Sequence, residues 1–182
     1  MVSAGIGGGF APAAPVGSLA VASAIVAADL GAQTADGFVP VAELGFGTSV
    51  HLPPAGLATA VVAALEPLGA CLGPVLTVST VTGSAERAAE LAARHPGAVA
   101  EAMEGFGVAE AASAAGVPVL EVRAVSNAVG PRDRSAWRIG DALTALTRAF
   151  ELLPDVLDAS EVLDAPDVLS APPSGGPAAR TA

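Results

Sequence analysis

The chain has 182 residues and a formal net charge of −10, and its eight basic residues are all arginine. This length is enough for one domain with a hydrophobic core. The negative charge and the lack of lysine argue against nucleic acid as a partner, because binding to a phosphate backbone depends on clustered positive charge.

The amino-terminal part contains a glycine-rich segment, residues 5–10, and the most apolar run of the chain, residues 19–30. The first lacks the G-x-G-x-x-G spacing and the Gly-Lys-Ser/Thr ending of phosphate loops. It is a weak phosphate-loop candidate, and a tight turn after a strand, with glycines at positive φ, is about equally well supported. The second is broken by Ser23 and Asp29 and is shorter than the roughly 20 residues of a membrane-spanning helix. A signal peptide requires basic residues ahead of its apolar run, and none precedes Arg87. We therefore expect no membrane partner and a cytoplasmic location.

The rest of the chain alternates short β-branched runs with helical patterns. Strands are predicted at residues 75–81 and 117–125, with a short third at 98–100. Ser84 is a candidate N-cap, and helices are predicted over residues 57–68, 84–94, 103–115 and about 141–153. This alternation predicts an α/β fold of three layers, α/β/α, with a mixed, mostly parallel central sheet. From residue 154 the composition predicts a disordered tail, so the domain is expected over residues 1–153.

The most informative stretch is residues 121–134, where an apolar strand ends at Ser126 and Asn127 and a Gly-Pro turn follows. A polar amide at the carboxyl end of a buried strand lies where open α/β sheets bind ligands. The two histidines, His51 and His95, have no neighbouring Cys or acidic cluster with ligand spacing, so no metal site is expected.

Four motifs in order resemble the nucleoside phosphorylase and nucleosidase superfamily. They are a glycine-rich segment, a Val-Gly-Asp-like turn, a Met-Glu pair opening a helix, and an Arg-x-x-Ser-Asn strand end. The last, continued as Ser-Asn-x-Val-Gly-Pro-Arg-Asp-Arg with Trp137 close behind, is most similar to futalosine hydrolases. In this chain the four motifs stand at residues 3–10, 16–18, 103–104 and 123–127.

The resemblance implies hydrolysis of the N-ribosyl bond of futalosine, releasing hypoxanthine in menaquinone biosynthesis. Glu104 is expected to accept hydrogen bonds from both ribose hydroxyls, and Met103 to pack on the sugar. Asn127 is expected to bind the departing base. Because an amide cannot deliver the proton that an aspartate supplies in adenine-cleaving nucleosidases, Asn127 favours a 6-oxopurine. The other residues expected to bind substrate are Gly5, Gly7, Thr82 and Ser126.

Two further arginines, Arg132 and Arg134, follow the Gly-Pro turn. Their guanidinium groups could bind the benzoate carboxylate of futalosine. Ion pairing with Asp133 between them is an equally good interpretation. The resemblance also implies a homo-oligomer and no cofactor.

Two other functions stay open from the sequence. Purine nucleoside phosphorolysis requires an anion site, for which Arg123 is the only candidate within the motifs. The other is a non-catalytic nucleoside-binding fragment, because superfamily members have a longer part ahead of the glycine-rich segment. The chain is accordingly expected to lack amino-terminal strands and the acid that activates water.

Overall fold

The computed structural model describes residues 1–158, which form eight β-strands and five α-helices. Two short 3-10 helices, Glu66–Leu68 and Arg134–Ala136, complete the regular structure of this part. The strands are β1 Val2–Gly9, β2 Leu19–Ala27, β3 Gly31–Thr34, β4 Gly37–Pro40, β5 Val50–His51, β6 Ala70–Thr77, β7 Ala100–Ala102 and β8 Leu120–Ala128. The helices are α1 Ala55–Ala64, α2 Ala85–Arg94, α3 Gly105–Ala114, α4 Ile139–Leu152 and α5 Pro154–Leu157.

Six of the strands form one mixed sheet in the order β5-β2-β6-β7-β1-β8, while β3 and β4 form a separate hairpin. Strand β2 also pairs with β8, so the large sheet closes on itself. The longest ladders, β1 with β8 and β2 with β6, are parallel. The pairs β1 with β7, β2 with β5 and β2 with β8 are antiparallel. The predicted α/β fold with a mixed sheet is confirmed.

Helices cover both faces of this sheet, as the alternation along β2 shows. Ala20 and Ala22 belong to a buried cluster that includes residues of α3. Their neighbours Leu19 and Val21 belong to a second cluster that contains residues of α1 and α4 and against which α5 packs. Because successive side chains of a strand point to opposite faces, the two clusters lie on opposite sides of β2.

The glycine-rich segment is a strand and not a turn, so the prediction of glycines at positive φ was wrong there. Residues 5–9 lie in β1, and none of their glycines has a positive φ. The glycines allow close packing instead. A Cβ at Gly7 would lie 2.8 Å from the carbonyl oxygen of Glu101, and one at Gly9 would collide with the carbonyl oxygen of Ala14.

Element types were predicted better than element ends. Ser84 caps α2, with its Oγ accepting a hydrogen bond from the Arg87 backbone amide at 3.2 Å. The strand predicted at 98–100 lies at Ala100–Ala102. The predicted tail starts with a short helix, Pro154–Leu157, because Pro154 favours the first turn of a helix. Residues 159–182 of that tail lie outside the described residues.

None of the described helices is both long and apolar enough to cross a membrane.

Candidate active site

A cleft of about 260 Å³ opens beside strands β7, β1 and β8. Six of the predicted site residues line it together, although they come from four separate parts of the sequence. They are Gly7, Thr82, Met103, Glu104, Ser126 and Asn127. Three of the four motifs behind the resemblance therefore meet at one surface, whereas residues 16–18 do not line it.

Asn127 lies near the end of β8, beside β1. Its Oδ1 accepts a hydrogen bond from Ser126 Oγ at 2.9 Å, and its Nδ2 donates to the carbonyl of Ala128 at 3.0 Å. Ser126 Oγ also lies 3.2 Å from the carbonyl oxygen of Gly7. These bonds orient the side-chain amide and leave its second N–H available to a ligand in the cleft.

Glu104 lies at the amino end of α3 and is oriented by Arg123 of β8. Arg123 Nη1 donates to Glu104 Oε2 at 2.8 Å. The Glu104 side chain is 65% exposed, whereas that of Arg123 is 4% exposed. A buried guanidinium thus supports a carboxylate that faces the cleft with acceptor capacity to spare.

Arg123 has two further partners inside the protein. Its Nε donates to Glu121 Oε1 at 2.8 Å, and its Nη2 donates to Ser3 Oγ at 3.1 Å. Glu121 is fully buried, and its Oε2 has no hydrogen-bond partner among the described residues. Burial raises the pKa of Glu121 and outweighs the opposing attraction of Arg123. Gly105 lies directly above this carboxylate, where any Cβ would collide with it.

Glu101 of β7 lines the cleft and was missed by the sequence reasoning. It is 6% exposed. Its Oε1 accepts a hydrogen bond from the Thr82 backbone amide at 2.9 Å, and its Oε2 accepts one from Thr82 Oγ1. An acidic residue in the middle of an otherwise apolar strand, Ala100–Ala102, was the available signal.

The remaining predicted residues lie around the cleft and not on its wall. Gly5 belongs to an adjoining groove that also contains Glu104 and Arg123, and a Cβ at Gly5 would lie 2.6 Å from Arg123 Nη1. Arg132 stacks over the Trp137 ring, with 5.5 Å between its Cζ and the ring centre, and Trp137 does line the cleft. Arg134 is exposed in the 3-10 helix that follows.

Asp133 pairs with Ser135 and with neither neighbouring arginine. Its Oδ1 accepts hydrogen bonds from the backbone amide and the hydroxyl of Ser135, which lower the pKa of Asp133. Within residues 1–158, no group of three or more His, Cys, Asp or Glu side chains lies close enough together to hold a metal ion.

The family of the chain follows from its match to a family model. The model described as "Phosphorylase superfamily" matches residues 1–159. The chain belongs to the phosphorylase superfamily. This confirms the resemblance drawn from the four motifs.

Two curated relatives resemble the chain closely. It is 72% identical over 159 residues to the futalosine hydrolase of Streptomyces coelicolor, a match that covers 87% of the chain and 66% of that protein. It is 46% identical over 155 residues to the futalosine hydrolase of Acidothermus cellulolyticus, covering 84% of the chain and 63% of that protein. The chain thus spans slightly less than two thirds of the length of these relatives.

Solved structures of two other proteins share the fold of the chain. A 5′-methylthioadenosine/S-adenosylhomocysteine nucleosidase from Colwellia psychrerythraea, in complex with adenine, matches with a TM-score of 0.71 at 22% identity. This match covers 86% of the chain and 66% of that structure. The futalosine hydrolase of Helicobacter pylori matches with a TM-score of 0.71 at 19% identity, covering 85% of the chain and 66% of that structure. At these identities the matches establish the α/β fold.

Proposed function

We propose that the chain provides the substrate-binding part of an N-ribosyl hydrolase that cleaves futalosine and releases hypoxanthine. The observation that supports this most directly is the presence of Glu104 and Asn127 on the wall of one cleft. We take futalosine as the substrate because both curated relatives are called futalosine hydrolases.

Cleavage of an N-ribosyl bond builds positive charge on the sugar and negative charge on the departing base, as in glycoside hydrolysis. Glu104 suits the sugar, because its carboxylate can accept hydrogen bonds from two vicinal hydroxyls. Arg123 keeps that carboxylate in place from the buried side. Met103, which is 46% exposed beside it, offers a flexible apolar surface for the ribose.

Asn127 suits the departing base. Its second N–H can donate to the purine ring nitrogen on which negative charge accumulates as the bond breaks. A donor that is already oriented, here by Ser126 and the carbonyl of Ala128, needs no reorganisation during the reaction. Because an amide donates a hydrogen bond without giving up a proton, this arrangement suits hypoxanthine as the leaving group.

Phosphorolysis is not favoured by the site. The anion-binding candidate for phosphate was Arg123, and each of its three nitrogens already donates to Glu121, Glu104 or Ser3. Two of these partners are acidic, so a phosphate placed beside Arg123 would face carboxylates at short range.

The finer aspects of this function are also proposals. They include a role in menaquinone biosynthesis, a homo-oligomer, a cytoplasmic location and a nucleoside phosphorylase-like domain over residues 1–153. Binding of the substrate's benzoate by Arg132 and Arg134 belongs with them. Arg132 stacks over Trp137 at the edge of the cleft, and this position supports a contact between Arg132 and the benzoate.

The experiment is an assay of hypoxanthine release from futalosine in phosphate-free buffer, with the Streptomyces coelicolor relative as a positive control for the assay. In the hydrolase that contains the chain we expect release that is unchanged on addition of phosphate, and a fall on the order of 10²-fold in kcat for Asn127→Ala. The matched control Glu66→Gln changes an exposed residue outside the cleft and should retain the original rate. Strict dependence of hypoxanthine release on phosphate would contradict the proposal, as would release by Asn127→Ala at the original rate.

A further inference from the structure

Glu101 is a buried acidic residue that the mechanism above does not use. Both of its oxygens accept hydrogen bonds from Thr82, Oε1 from the backbone amide and Oε2 from the hydroxyl. No basic side chain among residues 1–158 forms an ion pair with it. A buried charge without a counter-charge is costly, and structural needs alone rarely explain one.

The sheet register aligns Glu101 with Asn127 across the floor of the cleft. Gly8 of β1 pairs with Glu101 of β7 on one side and with Asn127 of β8 on the other. Residues opposite each other on neighbouring strands point to the same face, and strands lie about 4.8 Å apart, so the backbones of the outer two residues lie roughly 10 Å apart. All three line the cleft.

Glycine at the middle position keeps this row open. A Cβ at Gly8 would lie 3.3 Å from Asn127 Nδ2 and 3.0 Å from Val129 Cγ2, so a side chain there would crowd the amide. The wall therefore presents a hydrogen-bond acceptor at Glu101, a gap at Gly8 and a donor at Asn127. A flat ligand edge with a donor at one end and an acceptor at the other is complementary to it.

The edge of a 6-oxopurine has this pattern, with N1–H as donor followed by O6 and N7 as acceptors. A 6-aminopurine differs at the decisive position, because its N1 has a lone pair where the 6-oxopurine has a proton. Resting on the proposed function, we infer that Glu101 is a specificity-determining residue whose carboxylate, held by Thr82, accepts the N1–H of a 6-oxopurine base. Asn127 then needs only to donate a hydrogen bond to the acceptor end of the same edge, O6 and N7. This agrees with the observation that its Oδ1 already accepts a hydrogen bond from Ser126.

The test measures the binding of hypoxanthine and adenine to the full chain by calorimetry, for the wild type and for Glu101→Gln. We expect the wild type to bind hypoxanthine at least tenfold more tightly. Glu101→Gln should reduce this preference by roughly 10- to 100-fold, because a hydrogen bond to a charged group is lost and the new amide can donate to N1 of adenine. A residue that merely anchors Thr82 would instead weaken both bases by the same factor, and that result would overturn the inference.

Glu66→Gln is the matched control, because it makes the same carboxylate-to-amide change at an exposed residue outside the cleft. We expect it to keep the preference for hypoxanthine that the wild type shows. Equal affinity of the wild type for the two bases would overturn the inference even if Glu101→Gln does not fold.

The futalosine assay on the same proteins separates this inference from the proposed function. Base discrimination that depends on Glu101, without futalosine turnover, would reject the hydrolase and retain the inference. Turnover of futalosine, combined with an equal loss of affinity for hypoxanthine and adenine in Glu101→Gln, would retain the hydrolase and reject the inference.

Discussion

Replacing Arg123 with Met should cost the protein a large part of its stability, because Arg123 is the only cation that the described structure places against Glu121. The side chains of Arg123 and Glu121 are 4% and 0% exposed, so the pair is shielded from water. Removing one partner of a buried ion pair leaves an uncompensated charge and typically costs about 3–5 kcal/mol. This compares with a total free energy of unfolding of about 5–15 kcal/mol for typical domains.

The assay is urea-induced unfolding monitored by circular dichroism, carried out as a double-mutant cycle with Glu121→Gln. If the loss arises from the isolated Glu121 carboxylate, Arg123→Met should cost at least about 1–2 kcal/mol less when Glu121→Gln is already present, since contacting residues couple by roughly 0.5–3 kcal/mol. The same loss in both backgrounds would refute the reasoning, because the effect would then come from packing of the arginine stem alone.

Three other predictions follow from single contacts. Burial raises the pKa of Glu121, so the folded state holds this proton more tightly than the unfolded state. The resulting stabilisation is full below the ordinary pKa of a glutamate and is lost as pH rises through the raised value; Glu121→Gln should abolish this pH dependence in thermal melts. Ser84→Ala removes the cap of α2 and should lower the free energy of unfolding by about 0.5–2 kcal/mol, while the exposed Ser113→Ala should change it little. Arg132→Ala should raise KM for futalosine but not for inosine, with Arg148→Ala as control, and equal losses for both substrates would reject the benzoate contact.

The sequence predicted the helices α1 to α4 and the strands β6, β7 and β8, because local signals specify them, and it did not predict β2 to β5. Ser84 is an N-cap by residue type, and the β-branched run of β8 indicates a buried strand from its own composition. The glycine-rich β1 was misread for a non-local reason. Its glycines are required by the carbonyl oxygen of Glu101 and the side chain of Arg123, both far from β1 in sequence, and by the carbonyl oxygen of Ala14, just beyond the end of β1.

In the candidate site, too, some residues can be predicted from local motifs and others only from the folded structure. Glu104 and Asn127 belong to motifs that can be read along the chain, and both line the cleft. Glu101 could not be assigned because its importance depends on two pairings, Gly8 with Glu101 and Gly8 with Asn127, which exist only in the folded sheet. The support of Glu104 by Arg123 is hidden for the same reason, since the start of α3 and strand β8 come together only in the folded chain.

The central claim is that this site serves hydrolysis of an N-ribosyl bond, and the most direct test is turnover of futalosine in ¹⁸O-labelled water without phosphate. We predict release of hypoxanthine with one ¹⁸O atom at the anomeric carbon of the sugar product, detected by mass spectrometry. Release of hypoxanthine only after phosphate is added, with a sugar phosphate and no ¹⁸O at the anomeric carbon, would contradict it.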